Sequence, residues 1–368
     1  MEKIVNKTLA AKIKKQVEQA EKVIEDYRGK KLRVMEVCGT HTHEIFRQDI
    51  GRLVSSKINL IAGPGCPVCV TGGSFIDEAR FLVDEVKAAV CTFGDLLRVP
   101  GSGGSLDDSR SRGGAVNIVY SPLDAVTYAR EHPHQQVVFL SVGFETTVPS
   151  ACLAVKQAAA IGLKNFSLLT ANKTMDEAYK SLATAVDAYL YPGHVCAITG
   201  TNKLAEMANP PAEGGMGISG AVAGFKAEEI MLALATIVKK SAAGEPFFVN
   251  CYPRVVRPEG NIAAQKLIAE YMEPCDSIWR GLGNLPGSGL KLRAEFAAFD
   301  AAEKFSLPSF VEKMPPGCRC GEILQGAIEP PKCKLFGNVC TPLRPVGACM
   351  VSSEGTCAAY YKFAREGQ

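Results

Sequence analysis

The sequence has a single Trp, and aromatic residues make up only 7% of it. That is too little to build a stacking surface for single-stranded nucleic acid. Charge of one sign is also missing. Lys and Arg number 41 against 38 Asp and Glu, leaving a net +3. So near a balance gives no argument for a nucleic-acid face or one made for anionic membranes. No run approaches the roughly 18 consecutive apolar residues of a membrane span. The start, Met1-Glu2-Lys3-Ile4-Val5-Asn6-Lys7, leads into a charged helical pattern and not into the apolar core of a secretory signal. Glu18, Glu21, Glu25 and Asp26 there argue against an organelle transit peptide. No G-x-G-x-x-G sits between a strand and a helix, and Gly101-Ser102-Gly103-Gly104-Ser105 lacks the Lys-Ser/Thr of a phosphate loop. It reads as a flexible loop. The expectation is a cytoplasmic protein with no nucleic-acid and no membrane partner.

What is present is a globular composition, 47% hydrophobic and 21% charged, in 368 residues. That length suits two or three domains. The unusual component is 14 Cys. In a reducing cytosol structural disulfides are rare, so clustered cysteines point to metal binding or thiol redox chemistry. Cys38, Cys66 and Cys69 lie early, and Cys318, Cys320, Cys333, Cys340, Cys349 and Cys357 crowd one C-terminal window. Cys91, Cys152, Cys196, Cys251 and Cys275 are scattered singly and read as small core residues.

Ile4, Val5, Leu9, Ile13, Val17, Val23 and Ile24 recur at helical spacing, which predicts one amphipathic helix over 4–27. Short apolar runs then alternate with helical patterns. Runs at 32–37, 57–62, 88–92 and 116–119 form a first set; 137–140, 166–169, 194–198 and 220–224 form a second. This rhythm predicts an α/β fold with two parallel-sheet domains. The expected division is an N-terminal helix (1–30), a first α/β domain (31–119), a second (120–274) and a cofactor-stapled module (275–368). Gly281-Leu282-Gly283-Asn284-Leu285-Pro286-Gly287 reads as loop. From 314 onward Pro, Gly and Cys dominate, so a metal or covalent cross-link has to replace the missing core. The N-terminal helix is expected to pack on that module.

The six C-terminal cysteines lack the paired knuckles, two to four residues apart, of most zinc modules. Cys318-Arg319-Cys320 cannot easily place both sulfurs on one tetrahedral ion. A cubane cluster takes four thiolates from loops that can be far apart in sequence. Two thiols are then left over, and beside an electron carrier such a pair can form a reducible disulfide. A structural zinc site with spare cysteines is the alternative. Two further motifs follow predicted strands, where α/β sheets place their sites. In Cys38-Gly39-Thr40-His41 a thiol and an imidazole three residues apart can reach one Fe(II) ion, or His41 can activate Cys38 as a nucleophile. A buried Cys with a turn-capping His is the plainer reading. In Cys66-Pro67-Val68-Cys69, the C-x-x-C spacing and a Pro that favours a helix start suit thiol–disulfide exchange. Half a zinc site is the alternative there. Asp95 and Glu145 also follow strands, as site carboxylates or as helix caps.

Together these motifs resemble the HypD family of hydrogenase maturation proteins. The carriers are CGTHTH at 38–43, GPGCPVC at 63–69, TFGDLLRVPGS at 92–102, VGFETT at 142–147, CRCGEILQG at 318–326 and PVGACMVSSEGTCAAYY at 345–361. The resemblance spans essentially the whole chain. It implies a two-domain α/β body plus a [4Fe–4S] domain, and assembly of the Fe(CN)2CO group of [NiFe] hydrogenase. The implied partners are the chaperone HypC and HypE, which carries a thiocyanate and delivers cyanide; HypF and the hydrogenase large subunit enter indirectly. It further implies Cys318, Cys333, Cys340 and Cys357 as cluster ligands. Cys320 and Cys349 become the redox pair beside the cluster, as in ferredoxin:thioredoxin reductase. Cys38, with His41 close by, holds transient Fe(II) carrying CN and CO, and Cys66 and Cys69 are the exchange dithiol.

The chemistry is consistent with that assignment. Releasing cyanide from an R–S–CN carrier consumes two electrons, and a dithiol supplies two as it becomes a disulfide. The expected role is a redox-active assembly scaffold. A competing reading is an iron–sulfur-dependent thiol–disulfide oxidoreductase acting on protein substrates. Another is a metal-binding scaffold in which the cluster only staples the fold.

Overall fold

A computed structural model describes residues 2–209 and 217–363, with side chains of the first helix described from residue 12 onward. The expected apolar positions Ile4, Val5 and Leu9 have side chains outside the described residues. Strands β1 (Leu32–Glu36) and β2 (Ile58–Ala62) come first. Then follow β3 (Ala89–Thr92), β4 (Val116–Ile118), β5 (Val137–Gly143) and β6 (Phe166–Lys173). Next are β7 (Ala188–Pro192), β8 (Gly220–Ala223) and β9 (Phe248–Asn250), and last β10 (Met272–Trp279) and β11 (Gly283–Leu292).

The fold is α/β with two mostly parallel sheets, but their strands are interleaved along the chain. One sheet has the order β2-β1-β7-β8-β9 and the other β10-β11-β6-β5-β3-β4. The chain accordingly forms two units. One takes residues up to Gly65, then Leu182–Asn261 and the chain from Lys362; the other takes Cys66–Ser181 and Ile262–Tyr361. The expected consecutive sets, 31–119 and 120–274, are therefore not the two sheets. Short apolar runs specify strands but not their neighbours, and β1 pairs in parallel with β7, Val34 opposite Ala188.

In the first unit all strand pairs are parallel. Such a sheet needs both faces covered. The Glu2–Glu25 helix packs on the Ala227–Ser241 helix. Ala20, Ile24 and Tyr27 enter the same core as Leu32, Val34, Ile230 and Leu234. The expectation that this helix packs on the C-terminal module is corrected here. Its stripe matches the apolar face of a helix in its own unit.

The second unit has two cores. Ala89, Phe139, Ala151, Val155 and Phe166 lie in one; Ile76, Leu82, Val90, Val138 and Leu140 lie in the other. Two further expectations change. Of residues 281–287 only Gly281 and Leu282 are a turn; 283–287 are strand, because β10 and β11 form an antiparallel hairpin that joins the sheet edge through β6. A half-exposed edge hairpin tolerates Gly and Pro and needs no continuous apolar run. Residues 194–198 are not strand but lie in the helix Gly193–Thr199, because the fully buried Ala188–Pro192 just before them takes the strand position. Of the scattered cysteines, Cys91, Cys152 and Cys196 are buried, and Cys251 and Cys275 are half-buried.

The packing of the first helix is testable. Ile24 is 2% exposed and Val23 39%. Ile24→Ala should cost about 2–5 kcal/mol in urea unfolding. Val23→Ala should stay within about 0.5 kcal/mol.

Candidate functional site

In the first unit the chain leaves β1 at Glu36 and turns into the helix Gly39–Arg47, with Cys38 as its extended N-cap residue. Glu36 is only 2% exposed. One carboxylate oxygen accepts from the Cys38 N–H at 3.0 Å, and the other accepts from the Thr42 hydroxyl. A carboxylate at a helix N-terminus is favoured by the helix dipole, and here it fixes the turn that carries Cys38. Gly65 underlies the same turn. A Cβ there would lie 2.1 Å from the Cys38 backbone nitrogen, so only glycine lets the two segments meet. The Gly39 N–H donates to the Gly65 carbonyl at 3.1 Å.

His41 is fully buried. Its Nε2 lies 2.8 Å from the Gly224 carbonyl oxygen. A carbonyl only accepts, so Nε2 carries the proton and Nδ1 holds the lone pair. Nδ1 has no hydrogen-bond partner among the described residues. Burial pushes the His41 pKa down to about 4, with the Gly224 bond opposing it, so the ring is neutral at physiological pH. Phe225 lies 5.0 Å from the His41 ring and 4.9 Å from the His194 ring. Cys38, His41, His194 and Gly224 thus collect where β1, β7 and β8 end, the usual binding position of an open α/β sheet.

In the second unit Cys66 is the N-cap of the Pro67–Val70 turn, and its Sγ accepts from the Cys69 N–H at 3.4 Å. Cys69 is fully buried. A chain of thiol contacts leads away from it. Cys69 lies beside Cys66 and Cys349, and its thiol donates to the Ala348 carbonyl at 3.9 Å. Cys349 also lies beside Cys320, and Cys320 beside Cys318. Burial raises the Cys69 thiol well above its ordinary value, helped by its bonds to Cys349 and Cys66. Hydrogen bonds from Cys320 and Cys69 pull Cys349 below it. Cys349 is therefore the sulfur on which negative charge collects.

Beyond Cys349 lies a small cavity lined by Cys318, Cys320, Cys333, Cys340, Cys349 and Cys357, with Leu335, Phe336 and Met350. Among the described residues, no three His, Cys, Asp or Glu side chains converge on one point as a single-ion site. The six thiols surround a space instead. Gly347 opens that space: a Cβ there would stand 2.6 Å from the Cys318 Sγ. The Val346 N–H donates to the Cys340 Sγ at 3.3 Å.

Asp95 and Glu145 turn out to position other segments. Asp95 accepts from the Ser352 hydroxyl at 2.8 Å and anchors the cysteine-rich segment beyond β3. Glu145 accepts from the Met175 N–H at 2.9 Å, at the start of the Asp176–Leu182 helix. Glu36, His194, Gly224, Phe225 and Gly347 were not singled out by the sequence reading. The local signal is position alone: Glu36 stands two residues before Cys38, and Gly347 two before Cys349.

A family model named HypD, described as "Hydrogenase formation hypA family", matches residues 7–364. The chain belongs to the HypD family. It is 40% identical over 347 residues to the hydrogenase maturation factor HypD of Rhodobacter capsulatus, covering 91% of this chain and 90% of that one. The HypD of Azotobacter vinelandii is 41% identical over 347 residues, with 91% and 90% covered. That of Escherichia coli K12 is 40% identical over 343 residues, with the same coverage of 91% and 90%. Of the motifs of this HypD-family chain, CGTHTH lies in the first unit, GPGCPVC crosses from the first into the second, and the others lie in the second. Among the described residues, no helix is long and apolar enough to cross a membrane.

The burial of His41 has a pH consequence. Above its ordinary pKa of 6.5 the ring is neutral whether the chain is folded or not. Between pH 6.5 and about 4 only the unfolded chain takes up the proton, so stability falls with pH. The loss should total roughly 3 kcal/mol by pH 4. Urea titrations of the metal-free chain should show that fall flattened by about this amount in His41→Asn. An unchanged slope would contradict a neutral, buried imidazole.

Proposed function

We propose that this HypD-family chain serves hydrogenase maturation as the redox scaffold on which the Fe(CN)2CO group is built. A HypC-type chaperone docks on it and a HypE-type carrier delivers cyanide, with HypF and the hydrogenase large subunit acting before and after. Iron is the cargo. The Cys38 thiolate and the His41 Nδ1 lone pair are its ligands on this chain, and a partner thiol completes the set.

The observation that carries the reading is the run of sulfurs from Cys66 through Cys69, Cys349 and Cys320 to the cysteine-lined cavity. Cys318, Cys333, Cys340 and Cys357 are proposed to hold a [4Fe–4S] cluster there. The residues fit it: four or more thiols border one cavity without meeting at a point, as a tetrahedral zinc site would require. Bound there, the cluster supplies electrons one at a time. The protein's own thiols convert them to pairs.

The Cys349 thiolate attacks Cys69 of a Cys66–Cys69 disulfide. The S–S bond breaks, Cys66 leaves as thiolate, and a Cys349–Cys69 bond forms. Cys320 then attacks Cys349 and Cys69 is released. Two electrons have moved, leaving a Cys320–Cys349 disulfide and a Cys66/Cys69 dithiol. Hydrogen bonding that pulls Cys349 down supplies the attacking thiolate near neutral pH. The reduced Cys66/Cys69 pair returns to a disulfide as the S–CN bond of the carrier breaks. That step yields the carrier thiol and cyanide and consumes the two electrons.

Infrared spectra of the anaerobic complex with a HypC-type partner should contain CN and CO stretches. Cys66→Ala/Cys69→Ala should lose the CN bands; a variant that still loads two cyanides would reject the dithiol step. Cys38→Ala should hold no iron with the partner. If that variant instead retains full thiol–disulfide activity on protein substrates, the oxidoreductase reading is the better one. Gly347→Ala should lower iron and sulfide per chain after reconstitution. Gly51→Ala, with nothing within 4 Å of the added Cβ, should not.

A further inference from the structure

Arg280 directly follows β10 and is 1% exposed. Its backbone N–H donates to the Val70 carbonyl at 2.8 Å. Its side-chain Nε donates to the Thr71 carbonyl at 3.1 Å. Both carbonyls end the turn that carries Cys66 and Cys69. The next residue leans on the other redox element. A Cβ on Gly281 would lie 2.6 Å from the Gly321 Cα, and Gly321 follows Cys320. The Gln325 side-chain amide donates to the Gly281 carbonyl and holds the two together. Arg280 thus stands between the dithiol turn and the first two cysteines of the cavity.

Its remaining two nitrogens, Nη1 and Nη2, have no hydrogen-bond partner among the described residues. A buried guanidinium is always charged, and a buried charge without a partner is strongly unfavourable. The nearest cysteines of the cavity are Cys318 and Cys320, just before Gly321, the residue packed against Gly281, and both line the cavity. A site of this kind lacks an anion, and thiolate-ligated iron–sulfur clusters are anionic.

We infer that Arg280 is the counter-charge of the cysteine cavity, offsetting the negative charge added when a [4Fe–4S] cluster held there takes up an electron. The inference rests on the cluster proposed above. The step is uptake of one electron from a low-potential one-electron donor, with no covalent bond made or broken. Arg280 touches no substrate. It is a positioning residue that makes the site easier to reduce, and so makes reducing power available to Cys320 and Cys349.

The test uses the full chain, reconstituted anaerobically with iron and sulfide, as wild type, Arg280→Met and Arg280→Lys. In a spectroelectrochemical titration, Arg280→Met should have a more negative midpoint. At the potential where wild type is half reduced, its reduced-to-oxidised ratio should be at least tenfold lower, about 59 mV for one electron. Arg280→Lys keeps the charge and should shift less than half as far. In the metal-free chain the sign reverses: Arg280→Met should unfold at the same or a higher temperature than wild type, because an unpartnered charge has gone.

A wild-type potential in Arg280→Met, equal shifts in both variants, or lower metal-free stability of Arg280→Met would overturn the inference. If Arg280→Met cannot retain the cluster, Arg280→Lys must retain it; loss from both would assign the residue a folding role and also overturn it. A wild-type chain that takes up no iron and sulfide would instead defeat the cluster reading itself.

Discussion

The chemistry proposed for the second unit depends on the Cys349 sulfur. That sulfur lies beside Cys69, in the turn that opens the unit, and beside Cys320, at the start of a short helix near the chain's end. Neither contact is local, so the thiols meet only when the unit is assembled. Three features hold that assembly. Ala348 and Val351 enter the core beside Val138 and Leu140. Ser352 donates to Asp95 beyond β3. Gly355 lies so close to the Cys349 carbonyl, 2.2 Å from an added Cβ, that no larger residue fits without a shift. A segment with too little apolar surface for its own core thus borrows one. Its tie to Asp95 lies just beyond the carboxyl end of β3, where an open α/β sheet ordinarily binds a ligand.

The first unit uses the same topological position for a different purpose. Its strand order reverses between β1 and β7, and Cys38, His41 and His194 follow those two strands. Here the controlling terms are electrostatic. A buried Glu36 orders the turn by accepting from Cys38 and Thr42. Burial keeps His41 neutral, and its bond to Gly224 leaves Nδ1 as the lone-pair nitrogen. A neutral imidazole and a thiol on one helical turn form a donor set suited to a borderline metal such as Fe(II).

Much of this was legible in the sequence where one residue type carries the whole signal. The α/β rhythm followed from apolar runs such as Val137–Gly143, which is buried along its full length. The C-x-x-C turn and the C-terminal cysteine cluster followed from cysteine count and spacing. What was not legible depends on pairing across long separations. Nothing in Leu32–Glu36 announces Ala188–Pro192 as its neighbour, so the interleaving of the two sheets stayed hidden. The β10–β11 hairpin reads as loop because an edge hairpin can keep Gly and Pro. Glu36 and Arg280 look like ordinary charged residues; only the fold buries them at 2% and 1% exposure and gives their charge a role. The family motifs named the thiols, but not the order in which they touch.

That order is the central claim, and thiol trapping with mass spectrometry tests it most directly. The chain is reconstituted with iron and sulfide, oxidised so that Cys66 and Cys69 form a disulfide, then exposed to a one-electron reductant and alkylated. The account predicts that wild type yields alkylated Cys66 and Cys69, while Cys349→Ser, with the same cluster content, keeps them as a disulfide. Equal alkylation of the pair in both proteins would show that electrons reach the dithiol without passing through Cys349, and would contradict the account.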